Sequence, residues 1–96
     1  MKIEFADQRL ALIQTDKAHK LGLPAAVITS CRNKLLVIEH ASTELTLRNL
    51  KSLHYKKLEG SEERQIRLND QYRMRFFLDN TTAPPTVTIT FIGDPH

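Results

Sequence analysis

This 96-residue sequence has a single cysteine and no long apolar run. Cys31 is the single cysteine, so no intramolecular disulfide and no four-cysteine metal site can form, and a reducing cytoplasm is the simplest setting. The longest apolar runs, residues 25–28 and 35–38, are far shorter than the ~20 residues that cross a bilayer. We therefore expect a cytoplasmic protein with no membrane segment.

The chain is also too short to hold two hydrophobic cores, and it contains no repeat and no low-complexity segment. A chain of this size buries roughly 60–70% of the surface that its unfolded form exposes, which is enough for one core. Residues 1–96 are therefore predicted to form a single domain.

Positive charge is missing from the end of the chain and concentrated in its middle. Residues 1–47 carry 6 Lys or Arg against 5 Asp or Glu, residues 48–75 carry 8 against 4, and residues 76–96 carry 0 against 2, so the net charge of +3 resolves into +1, +4 and −2. A local positive excess attracts polyanions, although a mixed-charge stretch is often only a solvated face. Composition leaves both interpretations open.

The N-terminal half predicts one strand and two helices. Residues 1–5 alternate as a short strand, and a first helix is expected between Asp7, as its N-cap, and Gly22. A second helix is expected from Pro24 to about His40. Its buried stripe follows spacings of three and four: Val27, Ile28, Cys31, Leu35 and Ile38. Cys31 is thus interpreted as a buried structural thiol.

The C-terminal half predicts three strands. A short helical turn at residues 45–53 and a basic surface loop at 56–61 precede a hairpin of residues 65–69 and 72–78. The last strand, residues 86–91, places Phe91 on the same side as Val87 and Ile89. The order β-α-α-β-β-β predicts an α+β fold with two N-terminal helices on one face of a small, mostly antiparallel sheet.

Parity determines how the hairpin presents its arginines. A loop with an even number of residues would mix polar and apolar side chains on each face, so we expect a loop of three residues, 70–72. The predicted opposite pairs are Leu68 with Met74, Ile66 with Phe76, and Arg67 with Arg75. One face is then apolar, and the other is open and rich in arginine. Like charges directly opposite each other destabilise a sheet, which points to an anionic ligand.

Two central segments, LHYKKLEG at residues 53–60 and QIRLNDQYRMRF at residues 65–76, resemble the signature of a known toxin family. The family is the HigB-type toxins, the plasmid maintenance system killer protein branch of the RelE/ParE superfamily. The ending Asp94-Pro95-His96 is similar to the family's Asp-Tyr-His. The resemblance spans nearly the whole chain; its NDQYR core is fairly specific, whereas the lysine loop and the tail are weak by themselves.

The resemblance implies the toxin of a type II toxin–antitoxin system. Such a toxin cuts messenger RNA in the ribosomal A site, needs no metal or other cofactor, and is held inactive by a helix-turn-helix, HigA-like antitoxin. The partners it implies are that antitoxin, the ribosome with its messenger RNA, and operator DNA reached through the antitoxin.

The family's site residues can be carried over by position. The catalytic candidates are His54, Lys57, Arg73, Asp94 and His96. The RNA-binding candidates are Lys56, Lys57, Arg67, Arg73 and Arg75. The chemistry suits these residue types, because attack by the RNA's own 2′-hydroxyl requires a base, an acid and stabilisation of charge on the phosphate. Histidine titrates closest to neutrality, and arginine holds phosphate oxygens through two parallel bonds.

One departure and two alternatives accompany this reading. Pro95 stands where the family usually has tyrosine, and a proline cannot donate a hydrogen bond and stacks poorly, so weakened or altered nuclease activity is the hypothesis. A ParE-like toxin, which inhibits DNA gyrase by binding and lacks a catalytic histidine pair, is one alternative. A degenerate toxin that only helps its antitoxin to bind the operator is the other.

Overall fold

A five-stranded sheet forms one layer of the structure, a computed structural model that describes all 96 residues. The strands lie in the order β1-β5-β4-β3-β2. β1 is parallel to β5, and the three remaining neighbouring pairs are antiparallel. Their bounds are β1 Lys2–Phe5, β2 Lys56–Lys57, β3 Arg64–Arg67, β4 Arg73–Asp79 and β5 Thr86–Gly93. The predicted mostly antiparallel α+β architecture is confirmed, but its element order missed β2, which lies in the segment predicted as a basic loop.

Three α-helices accompany the sheet: α1 Gln8–Ala11, α2 Ala25–His40 and α3 Glu44–Asn49. The predicted second helix is confirmed as α2. Of its predicted stripe, Ile28 is partly buried against the core, and the other residues are buried: Val27, Cys31, Leu35 and Ile38. The Cys31 thiol lies 3.8 Å from the Met74 sulfur of β4, and burial raises the pKa of this thiol to about 12. No helix combines the length and apolar character needed to cross a membrane.

The first predicted helix is broken. Asp7 caps α1 as expected, but the chain then forms two short 3₁₀ turns, residues 12–14 and 18–21, on either side of an extended Thr15. The Thr15 hydroxyl accepts from the Lys17 N–H at 3.1 Å and so competes with the helical bonding pattern. Arg32 of α2 donates to the carbonyls of Ile13 (2.8 Å) and Thr15 (2.7 Å) and so links the broken segment to α2.

The β3–β4 hairpin keeps its predicted faces in a different register. Ile66 lies opposite Met74 and Arg67 lies opposite Arg73. The predicted partners, two residues later in β4, are wrong. A shift by an even number leaves every side chain on its expected face. The buried face carries Ile66, Leu68, Met74 and Phe76.

Asn69 accounts for the change of register. Its side-chain oxygen accepts hydrogen bonds from the N–H groups of Gln71 (2.8 Å) and Tyr72 (2.7 Å), so the turn forms over residues 69–71 rather than 70–72. The N–H of Leu68 then bonds to the Tyr72 carbonyl at 3.0 Å. The loop has three residues, as parity requires, but it begins one residue earlier.

A β-bulge in β5 changes the direction in which Phe91 faces. Phe91 lies opposite Arg75, whereas Ile89 lies opposite the next residue of β4, so Thr90 is an extra residue in β5. The alternation inverts beyond Thr90: Phe91 joins the arginine face, and Ile92 packs against the core instead. The prediction that Phe91 points to the buried side is wrong.

Candidate functional site

A groove of about 440 Å³ opens where β2, β3 and β4 meet the turn before β2. It is lined by His54, Tyr55, Lys56, Gln65, Arg67 and Arg73. Four of these are predicted site residues, and they come from three separate segments of the chain. No acidic side chain lines the groove, so its charged groups are all cationic.

His54 reaches this groove from a strained turn. It follows a 3₁₀ turn at residues 51–53 and adopts left-handed backbone angles, φ 48° and ψ 46°, with its N–H bonded to the Lys51 carbonyl at 3.2 Å. A non-glycine residue rarely adopts this conformation, and it persists where neighbours hold it. Leu53 on one side is buried and Tyr55 on the other is half-buried, so the two anchor the turn while the imidazole stays exposed.

Tyr55 is held in turn by a charged cluster that sequence reasoning missed. Its hydroxyl donates to the Glu44 carboxylate, which also pairs with Arg64 Nε at 3.3 Å and with Arg48 at 3.6 Å. Burial raises the pKa of Tyr55 to about 12, and its bond to Glu44 acts in the same direction. Burial would raise the pKa of Glu44, but the bonds from Tyr55 and Arg64 outweigh it and lower that pKa.

Arg67 and Arg73 face each other across the hairpin, and each is balanced differently. Arg73 donates to the carbonyls of Asn69 (2.5 Å), Tyr72 (3.0 Å) and Asp70 (3.3 Å) and so stabilises the turn. Arg67 forms an ion pair with Asp70, whose side chain is 93% exposed. A solvated partner of this kind is readily displaced, so Arg67 is the more available of the two for an anion.

Arg75 lies on the same face but outside the groove. Its Nε donates to Gln65 Oε1 at 2.9 Å, and its guanidinium lies 5.2 Å from the centre of the Phe91 ring. Gln65 is the one buried polar residue, although it lies on the open face of the sheet, and this bond satisfies its oxygen.

The structure does not bring Lys57 into the groove. Successive side chains of β2 point to opposite faces, so Lys56 faces the groove beside Gln65 while Lys57 lies on the side of Arg64. The Lys57 ammonium pairs with Glu62 at 3.0 Å, beside a separate cavity formed by residues 57–62. Of the two neighbouring lysines, only Lys56 can contact a ligand held by Arg67.

The tail carrying Asp94 and His96 is tied to the hairpin turn. Gln71 Nε2 donates to Asp94 Oδ2 at 2.8 Å, and the His96 N–H donates to Asp94 Oδ1 at 3.0 Å. The bonds from Gln71 and His96, together with the nearby charge of Arg73, lower the pKa of Asp94. His96 is exposed and does not line the groove, so the structure does not bring it together with His54 there.

This arrangement can bind phosphate and exchange protons. Arginine and lysine side chains in a groove without carboxylates attract an anion, and the imidazole groups at its rim and on the adjacent tail are side chains that can accept and donate protons. The structure contains no group of three or more His, Cys, Asp or Glu side chains that could hold a metal ion.

Comparison with known proteins identifies the fold. No family model matches the sequence, and no curated protein matches it. Among solved structures, a YoeB/ParE toxin from Agrobacterium tumefaciens matches with a TM-score of 0.57 over 100% of both chains, at 10% sequence identity. The chain therefore has the fold of a YoeB/ParE toxin. At this identity the likeness establishes the fold alone.

Replacement of Glu44 by glutamine is expected to destabilise the protein by about 1–3 kcal/mol at neutral pH, because Tyr55 and Arg64 lose a charged partner. The pKa of Glu44 is lower in the folded than in the unfolded chain, so its contribution is present above about pH 4.5 and is lost as the pH falls through the folded value. Urea unfolding of wild type and Glu44→Gln at pH 7 and pH 3 measures this difference. Equal differences at both pH values, or a similar loss in the exposed control Glu59→Gln, would contradict it.

Proposed function

We propose that this chain is the toxin of a two-gene toxin–antitoxin pair and a ribosome-dependent messenger-RNA endonuclease of the HigB type. The observation that carries the proposal is the groove, which joins the imidazole of His54 to the cations of Lys56, Arg67 and Arg73 on a toxin fold. The resemblance of residues 53–60 and 65–76 to HigB-type toxins supports the subtype.

The reaction proposed is an internal transesterification of the RNA. The 2′-oxygen attacks the adjacent phosphorus, the bond from phosphorus to the 5′-oxygen breaks, and a 2′,3′-cyclic phosphate and a 5′-hydroxyl result. One histidine of the pair His54 and His96 accepts the 2′-hydroxyl proton, and the other donates a proton to the leaving oxygen. Arg67 and Arg73 stabilise the negative charge that develops on the phosphate.

Two residue roles in this proposal follow the geometry of the site. Lys56 supplies the point charge in the groove, since Lys57 lies on the other face of the sheet. Asp94 is a positioning residue, because it accepts the His96 N–H and links the tail to Gln71. A helix-turn-helix, HigA-like antitoxin that brings the complex to operator DNA completes the proposal.

Replacement of His54 by glutamine is expected to slow cleavage of ribosome-bound message by about 10²- to 10⁴-fold, because a proton-transfer group is lost. Primer extension on messages recovered after brief induction measures both the rate and the codon position. His19→Gln is the matched control. His19 is exposed, and the one hydrogen bond of its ring joins Nδ1 to the Asp16 carbonyl at 3.3 Å.

The same variants distinguish cleavage from the alternatives. If His54→Gln and His96→Gln arrest growth as strongly as the wild type and no cut sites are found, the nuclease is excluded. Inhibition of gyrase supercoiling would then favour a ParE-like activity. Absence of growth arrest by the wild type would favour a chain that acts only with its antitoxin at the operator.

The neighbouring lysines, Lys56 and Lys57, provide a second test, because they are adjacent in β2 but lie on opposite faces of the sheet. Lys56→Gln is expected to weaken binding of single-stranded RNA and to reduce the slope of log affinity against log salt by about 0.7, the value for one phosphate contact. Lys57→Gln is expected to leave the slope unchanged. Fluorescence anisotropy at several salt concentrations measures both, and equal effects would contradict the assignment of Lys56 to the groove.

Replacement of Pro95 by tyrosine is expected to raise the cleavage rate severalfold or more, since stacking of one base on an aromatic ring is worth about 1–3 kcal/mol. The measurement is the ribosome-programmed cleavage rate of Pro95→Tyr beside the wild type, with thermal unfolding as a check on folding. Equal rates would show that proline at this position does not weaken the enzyme.

A further inference from the structure

Two phenylalanines lie on the open face of the sheet, outside the groove. Phe77 follows Arg75 by two residues in β4 and is 46% exposed. Phe91 lies in the neighbouring strand, directly opposite Arg75, and is half-buried. Neither belongs to the hydrophobic core cluster or to the residues packed against it. Both rings therefore lie where a ligand on the open face could contact them.

The position of Phe91 depends on two local features of β5. The extra residue Thr90 turns Phe91 out of the buried face, and Gly93 makes room for its ring. A Cβ atom at Gly93 would lie 3.1 Å from the Phe91 Cζ, a contact tight enough that the ring would have to shift slightly. The ring therefore extends along the strand over Gly93, with the Arg75 guanidinium 5.2 Å from its centre.

The surroundings of these rings fit a nucleic acid better than a protein partner. A protein interface has an apolar centre, whereas these rings have polar neighbours: Arg75 lies opposite Phe91, Thr88 lies opposite Phe77, and Asp79 follows Phe77 on the same face of β4. Arg73, Arg75 and Phe77 follow one another on the open face of β4. Arg67 lies one strand away, in β3. A cationic groove beside exposed aromatic rings is the arrangement by which proteins hold single-stranded nucleic acid.

We propose that the open face of β4 and β5 is a base-stacking subsite for single-stranded RNA, with Phe91 and Phe77 as the stacking side chains. This inference rests on the proposed function and adds a second contact region to the groove. The phosphate of the bound strand lies on Arg67 and Arg73, and the bases that follow lie on the two rings. β3 and β5 are two strand spacings apart, about 10 Å, so one or two nucleotides bridge them.

The carboxylate of Glu63, beside Phe91, is expected to set the direction of the RNA strand. Glu63 accepts a hydrogen bond from the Thr90 hydroxyl, beside Phe91. A carboxylate there repels phosphate but accepts hydrogen bonds from the amino groups of bases. The backbone of the RNA is thereby directed towards Arg67, and its bases are directed towards the rings.

The test measures binding without cleavage. The probe is a fluorescein-labelled, mixed-sequence 2′-O-methyl RNA octamer, which lacks the attacking hydroxyl, and its affinity is measured by anisotropy. Phe91→Leu and Phe77→Leu are each expected to weaken binding about fivefold or more, because leucine keeps an apolar side chain but loses the π face. Phe91→Tyr and Phe77→Tyr are expected to bind as the wild type does.

Salt dependence separates stacking from loss of charge or structure. The leucine variants are expected to keep the wild-type slope of log affinity against log salt, whereas Arg67→Gln reduces it by about 0.7. Leu36→Ala is the matched control, because Leu36 is an exposed apolar residue, 54% accessible, on helix α2. A duplex of the same sequence is expected to be insensitive to both leucine substitutions, since its bases are already stacked.

Several results would overturn the subsite. One is wild-type affinity in both leucine variants, and another is an equal loss of affinity for the duplex. The third is no binding of the octamer by the wild type at about 50 mM salt, where phosphate contacts are strong. Phe77→Leu keeps the test valid if Phe91→Leu unfolds, because Phe77 is the more exposed ring. Cleavage with unchanged affinity in the variants would reject the subsite alone; stacking-dependent binding without cleavage would reject the proposed nuclease alone.

Discussion

The parity of the β3–β4 hairpin is the constraint on which the rest of the structure depends. Burial of Ile66, Leu68, Met74 and Phe76 contributes about 6–12 kcal/mol, at roughly 1.5–3 kcal/mol for each side chain. Placing two arginines opposite each other costs at most about 1 kcal/mol. The core therefore decides the pairing, and the arginines are forced onto the open face together.

The remaining features of the site offset or use this concentration of charge. Turn carbonyls surround Arg73, Asp70 pairs with Arg67, and Gln65 accepts from Arg75. The partners are exposed or neutral, so the positive potential over the groove persists. The hydrogen-bonded cluster of Glu44, Tyr55 and Arg64 then holds the turn that presents His54.

Sequence reasoning succeeded where a single period controls the structure and failed where a local side chain competes with it. The stripe of α2 and the two faces of the hairpin were predictable because a shift by one residue would expose the core. The break at Thr15 and the turn set by Asn69 depend on hydroxyl and amide bonds that spacing does not reveal. The bulge at Thr90, the different surroundings of Lys56 and Lys57, and the pairing of Glu44 with Tyr55 depend on tertiary neighbours.

The central claim is that the open, arginine-bearing face of the sheet binds a single RNA strand. Titration of the isotopically labelled protein with single-stranded RNA, followed by NMR, tests this most directly. The account predicts shifts in the guanidinium N–H signals of Arg67 and Arg73 and in the His54 ring, with the exposed side of α2, including Arg32, unchanged. Shifts concentrated on α2, with the arginine signals unmoved, would contradict it.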